Sequence, residues 1–186
     1  MSLNFNALPA DLPVPIDDGA CKHLIGLRLF NMALSATNGN ANNLAAMTGW
    51  LVVYCYPITG RPEVALPINW DSIPGECGCT PQACRFRDNH AELTALNTKV
   101  FGLCTQTTDY QQEAAARLHL PFPLLSDHDL RWTQALNLPT FKLNAQHLNK
   151  RVTLIAKDGV IQHTFYPVFP PDKNADDVLD CLKQHV

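Results

Sequence analysis

The sequence lacks the features that mark nucleic-acid-binding and membrane proteins. It contains no cluster of lysine and arginine residues, and its formal net charge is -3. A basic patch is what binds nucleic-acid phosphates or an anionic lipid surface, so we expect neither partner. The longest strongly apolar run, Trp50 to Tyr56, is far too short to cross a bilayer. The first residues have neither a basic start nor an apolar segment, which argues against a signal peptide.

The cysteines also lack the pattern of a secreted disulfide scaffold. There are seven of them, an odd number, at irregular spacing through 186 residues, whereas disulfide scaffolds are shorter and more regular. We therefore expect chemically active thiols in a reducing compartment, the cytoplasm. Internal repeats and low-complexity tracts are missing, and nearly half of the residues are apolar. These properties predict a single globular domain over 1–186 that begins with a proline-containing arm over 1–26.

Short apolar segments that alternate with helical patterns predict an α/β fold with a mixed β-sheet flanked by helices. Residues 51–56 are β-branched, aromatic and almost wholly apolar, which is typical of a central strand buried on both faces. The other predicted strands are 27–37 (in a hairpin), 99–105, 123–125, 151–156 and 160–165, and the predicted helices are 80–97, 109–118, 129–137 and 176–185.

A long loop leads the chain to its most informative cysteine. Residues 58–78 contain several prolines and glycines, which exclude regular structure, and a loop this long inside a compact domain is usually functional. Cys79 then stands where the loop turns into a predicted helix, with Pro81 in its first turn. Free backbone N–H groups and the positive end of the helix dipole favour a thiolate there, the nucleophilic form of cysteine.

The segment GCTPQACRFRD, which begins at Gly78, resembles the active-site segment of peroxiredoxins. The resemblance is to the Q-type group, which includes bacterioferritin comigratory protein, and it extends roughly over 27–161 through LPFPLLSD and KRVTLIAKDGVI. It implies a thioredoxin-like fold and a thiol-dependent peroxidase that reduces hydrogen peroxide and organic hydroperoxides. It also implies reduction by thioredoxin or glutaredoxin, a monomer or weak homodimer, and no metal or organic cofactor.

The same resemblance assigns roles to four residues. Cys79 matches the peroxidatic cysteine, and Cys84 matches the resolving cysteine of the Q-type group. Arg151 matches the arginine that holds thiolate and peroxide together, and Gln82 matches the residue that helps to orient this arginine.

The loop over 58–78, before the peroxidatic cysteine, is longer than in the family and is interpreted as an insertion; it also departs from the family pattern in its residues. Peroxiredoxins place a threonine three residues before this cysteine and a proline seven residues before it, where this sequence has Glu76 and Ser72. The threonine normally bonds the peroxide, so that role is unassigned, with Thr59 and Thr80 as candidates. A carboxylate at position 76 could accept a proton from the peroxide, but it would also repel a neighbouring thiolate.

The spacing of the two assigned cysteines bears on the mechanism. On one intact helix, five residues correspond to a Cα separation of roughly 8–9 Å, whereas a disulfide needs roughly 4.4–6.8 Å. A bond between Cys79 and Cys84 therefore requires the first helical turns to open. Cys77, two residues from Cys79, could compete as the resolving thiol, although so small a ring is strained.

Other functions are weighed against the peroxidase. Cys77, Cys79, Cys84 and His90 could together bind zinc, but structural zinc sites favour paired knuckles and a second pair is missing. A thiol–disulfide oxidoreductase would need a C-x-x-C motif, which the chain lacks. A non-enzymatic redox sensor, or a degenerate peroxiredoxin, is the remaining alternative because the threonine is absent.

Overall fold

The computed structural model describes Leu8 and residues 11–185. In this part of the chain, nine strands form a seven-stranded mixed sheet and a separate two-stranded hairpin, accompanied by five α-helices. The strands are β1 (Ala33–Ala36), β2 (Ala41–Asn43), β3 (Trp50–Cys55), β4 (Thr98–Cys104), β5 (Leu124–Ser126), β6 (Thr140–Leu143), β7 (Gln146–Asn149), β8 (Val152–Lys157) and β9 (Val160–Phe165). The helices are α1 (Cys79–Asp88), α2 (His90–Ala95), α3 (Thr108–Arg117), α4 (Arg131–Ala135) and α5 (Asn174–Lys183).

Strand β3 lies inside the large sheet, whose order is β2-β1-β5-β4-β3-β8-β9. Strands β3, β4 and β5 are parallel, and the remaining neighbours are antiparallel. Because successive side chains of a strand point to opposite faces, Val53 and Cys55 join one hydrophobic core, while Tyr54 and Tyr56 join the other. The prediction of a strand buried on both faces is therefore confirmed, as is the mixed sheet flanked by helices.

The pairing register of β8 with β3 determines where Arg151 lies. The two strands are antiparallel, with Val152 opposite Cys55. The start of β8 therefore lies beside the end of β3. Arg151, the residue before β8, is thus brought to the edge of the sheet at which the long loop leaves β3.

The predicted helix over 80–97 begins at Cys79 and is interrupted at Asn89, which separates α1 from α2. The backbone of Asn89 leaves the helical conformation (φ -90°, ψ 2°), and its side-chain amide donates to Oδ1 of Asp176 at 2.8 Å. This long-range bond to α5 has no counterpart in the local pattern, so an unbroken helix was the wrong prediction.

Two further segments differ from the sequence-based expectation. The first strand is shorter than 27–37, because only Ala33–Ala36 pairs continuously. The β6–β7 hairpin was not predicted, because each strand has only four residues and β7 lacks the alternation of apolar and polar residues that marks a strand. Of the predicted N-terminal arm, residues 1–7, 9 and 10 lie outside the described residues.

Candidate active site

Cys79 is the first residue of α1 and is 5% exposed. The residue before it, Gly78, has a φ of 99°, a conformation that favours glycine. A Cβ atom at this position would lie 2.5 Å from Cδ2 of Leu8 and 2.5 Å from Cγ of Pro171. A glycine is therefore needed for the chain to turn from the loop into α1 beneath Pro171, and this turn places the thiol at the helix start.

The guanidinium of Arg151 contacts the thiol directly. Its Nη2 atom lies 3.1 Å from Sγ of Cys79 and donates to the backbone carbonyl of Glu76 at 2.9 Å, while Nε donates to the carbonyl of Gly75 at 3.0 Å. Arg151 is 2% exposed, so little water screens its charge. The loop carbonyls hold this cation against the sulfur, which also lies at the positive end of the α1 dipole.

Gln82 holds Arg151 from the opposite side. This fully buried residue accepts a hydrogen bond from Nη1 of Arg151 through its Oε1 atom. Its Nε2 donates to Oδ1 of Asn174 at 2.9 Å, and the hydroxyl of Thr153 donates to the same oxygen at 2.7 Å. Asn174 and Thr153 were missed by sequence reasoning: Asn174 lies in α5 outside the quoted motifs, and Thr153 lies in the segment KRVTLIAKDGVI without an assigned role.

Glu76 is buried beside Arg151, with 4% of its surface exposed. Burial raises the pKa of its carboxyl from 4.5 to about 7, and the positive charge of Arg151 only partly offsets this effect. The Oε2 atom is buried and has no hydrogen-bond partner among the described residues. When the carboxyl is protonated, it does not oppose the neighbouring thiolate by charge.

Within the described part of the chain, neither candidate threonine forms a hydrogen bond with the thiol of Cys79. The backbone N–H and the hydroxyl of Thr59 both donate to Oε1 of Gln106, at 2.9 Å and 3.1 Å, so this residue fastens the loop to the β4–α3 connection. Thr80 is the second residue of α1 and is buried. Glu76, three residues before Cys79, thus provides the site with a backbone carbonyl and a carboxyl group where the family has a threonine.

A cavity of about 190 Å³ opens beside this arrangement. Arg151 and Glu76 line it together with apolar side chains that include Ile73, Phe141 and Val168. Cys79 is not part of its lining, so a molecule in the cavity meets Arg151 and Glu76 first. The cavity combines two cations, Lys150 and Arg151, and one carboxyl with apolar walls, a composition that suits a small polar molecule carrying an apolar group.

The two other cysteines near the site are half-buried. Cys84 lies on α1, which is continuous from Cys79, so the separation of roughly 8–9 Å expected for one intact helix applies. Burial raises the pKa of the Cys84 thiol. Burial, together with a hydrogen bond to Asp71, raises the pKa of Cys77 to about 12.

Helix α1 is tied to α5 by a charged pair. Nε of Arg85 lies 2.9 Å from Oδ2 of Asp176, and Nη2 lies 2.7 Å from Oδ1. Two parallel charge-assisted hydrogen bonds of this kind are stronger than a single neutral bond. The pair therefore holds the turn of α1 that follows Cys84 in its helical form.

The remaining strand cysteines are core residues, as the sequence predicted. Cys55 and Cys104 are completely buried. Burial raises the pKa of Cys104 to about 11, although Gln111 donates to its sulfur at 3.0 Å. Over residues 11–185 and Leu8, no group of three or more His, Cys, Asp or Glu side chains is arranged to hold a metal ion. No described helix has the length and apolar character needed to cross a membrane.

Comparison with known proteins agrees with this geometry. The family model described as Redoxin matches residues 27–179. Peroxiredoxin Q, chloroplastic, from Sedum lineare is 29% identical over 124 residues, which are 67% of this chain and 64% of that protein. Peroxiredoxin Q, chloroplastic, from Oryza sativa subsp. japonica is 27% identical over 154 residues, or 82% of this chain and 64% of that protein. The chain thus spans 64% of the length of these two relatives.

Solved structures show the same fold. Peroxidoxin BcpB from Mycobacterium tuberculosis has a TM-score of 0.70 and 23% identity, covering 86% of this chain and 96% of that chain. Peroxiredoxin Q from Xanthomonas campestris has a TM-score of 0.67 and 25% identity, covering 84% of this chain and 92% of that chain. Because the family model matches most of the sequence, the protein belongs to the redoxin family, and its resemblance to the Q-type peroxiredoxins is confirmed.

Proposed function

We propose that the protein is a thiol-dependent peroxidase that reduces hydrogen peroxide and organic hydroperoxides, with Cys79 as the attacking thiol. The contact of 3.1 Å between Nη2 of Arg151 and Sγ of Cys79 carries the proposal. A buried cation against a thiol at the start of a helix is an environment that generates a nucleophilic thiolate.

In the first step, the thiolate of Cys79 attacks one oxygen of the peroxide. A sulfur–oxygen bond forms, the oxygen–oxygen bond breaks, and the other oxygen leaves with the electron pair and takes up a proton. Cys79 is oxidised to a sulfenic acid, and the peroxide is reduced to water or an alcohol. Arg151 stabilises the negative charge that moves from sulfur to the leaving oxygen, and Gln82 keeps the guanidinium in place.

In the second step, the thiolate of Cys84 attacks the sulfur of the sulfenic acid. A disulfide forms, and the hydroxyl leaves as water once it has been protonated. Because the two cysteines are five residues apart on one continuous helix, α1 must open before the sulfurs can meet. The enzyme therefore alternates between a wound form that reduces peroxide and an opened form that makes the disulfide.

Cys84 is favoured over Cys77 as the resolving thiol. Burial raises the pKa of both thiols, and a hydrogen bond to Asp71 contributes to raising that of Cys77 to about 12. A disulfide between Cys77 and Cys79 would also close a very small ring. Cys84 satisfies the spacing of the Q-type group without such a ring.

The proposal includes the steps that return the enzyme to its reduced form. The disulfide is reduced by thioredoxin or a glutaredoxin-type protein through thiol–disulfide exchange. A cytoplasmic location would provide this reductant. The proposal also includes a monomer or weak homodimer as the active form, because the residues assigned to the reaction all belong to one chain.

Stopped-flow kinetics with hydrogen peroxide and an organic hydroperoxide test the proposal. We expect Cys79→Ser to abolish the fast reaction. Cys84→Ser should keep the first turnover, accumulate the sulfenic acid and lose turnover with thioredoxin. The matched control is Cys181→Ser, because this half-buried cysteine of α5 is assigned no step and its loss should leave both phases unchanged.

Three outcomes would overturn parts of this proposal. Equal slow rates for wild type and Cys79→Ser would exclude the peroxidase. Rapid oxidation of Cys79 without turnover would favour a redox sensor, an alternative that the carboxyl of Glu76 in place of a threonine motivates. Mass spectrometry of the oxidised protein would reverse the choice of resolving thiol if the intramolecular disulfide disappeared only in Cys77→Ser.

A further inference from the structure

A second and larger cavity lies away from the thiol. Its volume is about 610 Å³, and it shares no lining residue with the cavity beside Arg151. The loop after β3, the β4–α3 connection, the segment after β5 and the β6–β7 turn all contribute to it; we call it the insertion cleft. It lies beyond the carboxyl ends of the parallel strands β3, β4 and β5, where ligands of open α/β sheets commonly bind.

The insertion cleft is lined by basic side chains but not by acidic ones from the described residues. The basic side chains of the lining are Arg61, His128 and His147, and among the described residues no aspartate or glutamate lines the cleft. The chain as a whole has 17 acidic residues and 14 lysines and arginines. The cleft is therefore basic although the net charge of the chain is negative. The acidic residues nearest in sequence to Arg61 and Tyr110, Glu63 and Asp109, do not line it.

Arg61 is held in place without a carboxylate partner. Its guanidinium stacks on the ring of Tyr110 at 3.9 Å from the centroid. The Nη2 atom donates to the backbone carbonyls of Asp109 and Tyr110 at 3.1 Å and 3.2 Å. Its Nε is buried without an acceptor, and Arg61 forms no ion pair with the described residues. The Nη1 atom forms no hydrogen bond with the described residues, so the fixed guanidinium retains a donor for a carboxylate.

The wall around Arg61 is fastened to the core of the protein. Thr59 donates twice to Oε1 of Gln106, and Nε2 of Gln106 donates to the carbonyl of Thr59 at 3.2 Å. Nη2 of Arg117, on α3, donates to the carbonyl of Gly60 at 2.9 Å. These bonds shape the cleft before any ligand arrives, which lowers the entropic cost of binding.

The rest of the cleft is largely apolar, with Ile58, Leu66 and Leu148 among its walls. We propose that the insertion cleft binds a small organic anion, with a carboxylate on Arg61 and an aliphatic chain along these walls. This inference does not depend on the peroxidase reaction, because Cys79 does not line the cleft.

Octanoate is the probe for this site, and binding is measured by isothermal titration calorimetry and by shifts of backbone amide NMR signals. We expect saturable binding, with the largest shifts at Gly60, Arg61 and Gln106. Octanol, which lacks the charge, and inorganic phosphate, which lacks the chain, should bind at least about tenfold more weakly because each forfeits one set of contacts.

Three variants locate the site. Arg61→Gln should weaken octanoate binding at least about tenfold by removing the charged partner. Ala65→Trp should do the same by filling the cleft, while leaving Arg61 in place. Lys99→Gln also removes a positive charge, but from an exposed residue that does not line the cleft, and should bind octanoate like the wild type. Thermal melts of each variant show whether it is folded.

The inference is overturned by any of three results. The first is a failure of octanoate to saturate the wild type at millimolar concentration. The second is binding of octanol as tight as that of octanoate, which would make the charge irrelevant. The third is binding of octanoate by folded Arg61→Gln and Ala65→Trp at the affinity of Lys99→Gln, which would place the ligand elsewhere.

Discussion

Replacing Glu76 with glutamine should make the stability of the protein less dependent on pH. The carboxyl is buried beside Arg151 and has an oxygen without a hydrogen-bond partner. Burial is the main cause that raises its pKa from 4.5 to about 7, and the positive charges of Arg151 and Lys150 act in the opposite direction. Glutamine has nearly the shape of the protonated carboxyl and cannot ionise.

The sign of the effect follows from the two pKa values. Below pH 4.5 the carboxyl is protonated in both the folded and the unfolded protein. Between pH 4.5 and about 7 the unfolded chain releases the proton and the folded protein keeps it, so the free energy of unfolding falls as the pH rises. Above pH 7 both forms are ionised, and the whole cost of holding a buried carboxylate is present.

The magnitude follows from the same difference in pKa. Raising the pKa from 4.5 to about 7 corresponds to a loss of about 3 kcal/mol in stability at pH 8. Relative to the wild type, Glu76→Gln should therefore gain about 3 kcal/mol in free energy of unfolding between pH 4.5 and pH 8.

Urea unfolding followed by circular dichroism, at pH 4.5 and pH 8, measures this difference. Other titrating groups are the same in both proteins and cancel in the comparison. Glu92→Gln serves as the control, because it removes a negative charge from a side chain that is 62% exposed. A difference between Glu76→Gln and wild type that is equal at the two pH values would refute the reasoning, as would an equal response in the control.

Three further substitutions test the contacts around the thiol. Arg151→Lys keeps the charge but loses the planar set of donors, so the rate constant of Cys79 with peroxide should fall about 10²-fold in stopped-flow experiments; an unchanged rate would contradict the assigned role. Asp176→Asn removes the ion pair with Arg85 and should ease the opening of α1, making disulfide formation after oxidation about two- to fivefold faster. A rate equal to that of the wild type would show that the pair does not restrain the helix. Gly78→Ala should lower the free energy of unfolding by more than about 1 kcal/mol, and an unaltered urea midpoint would disprove the steric argument.

The sequence by itself determined the features that depend on residues close together along the chain. The apolar run at 51–56 predicted a strand buried on both faces, since composition and length mark such a strand locally. Cys79 was predicted at a helix start because Pro81 in the first turn is a local signal, and the structure begins α1 at Cys79. The motif around Cys79 likewise indicated the family before any tertiary contact was known.

The resemblance assigned Arg151 to the thiol, but only the tertiary structure decided how distant groups reach it. Arg151 is 72 residues away from Cys79 along the chain, and it reaches the thiol because β8 pairs antiparallel with β3. Asn174 joins the network through Gln82 although no motif marks it. The burial of Glu76, and with it a pKa of about 7, depends on elements packed around the loop. Such contacts arise from sheet register and helix packing, which a local sequence pattern does not encode.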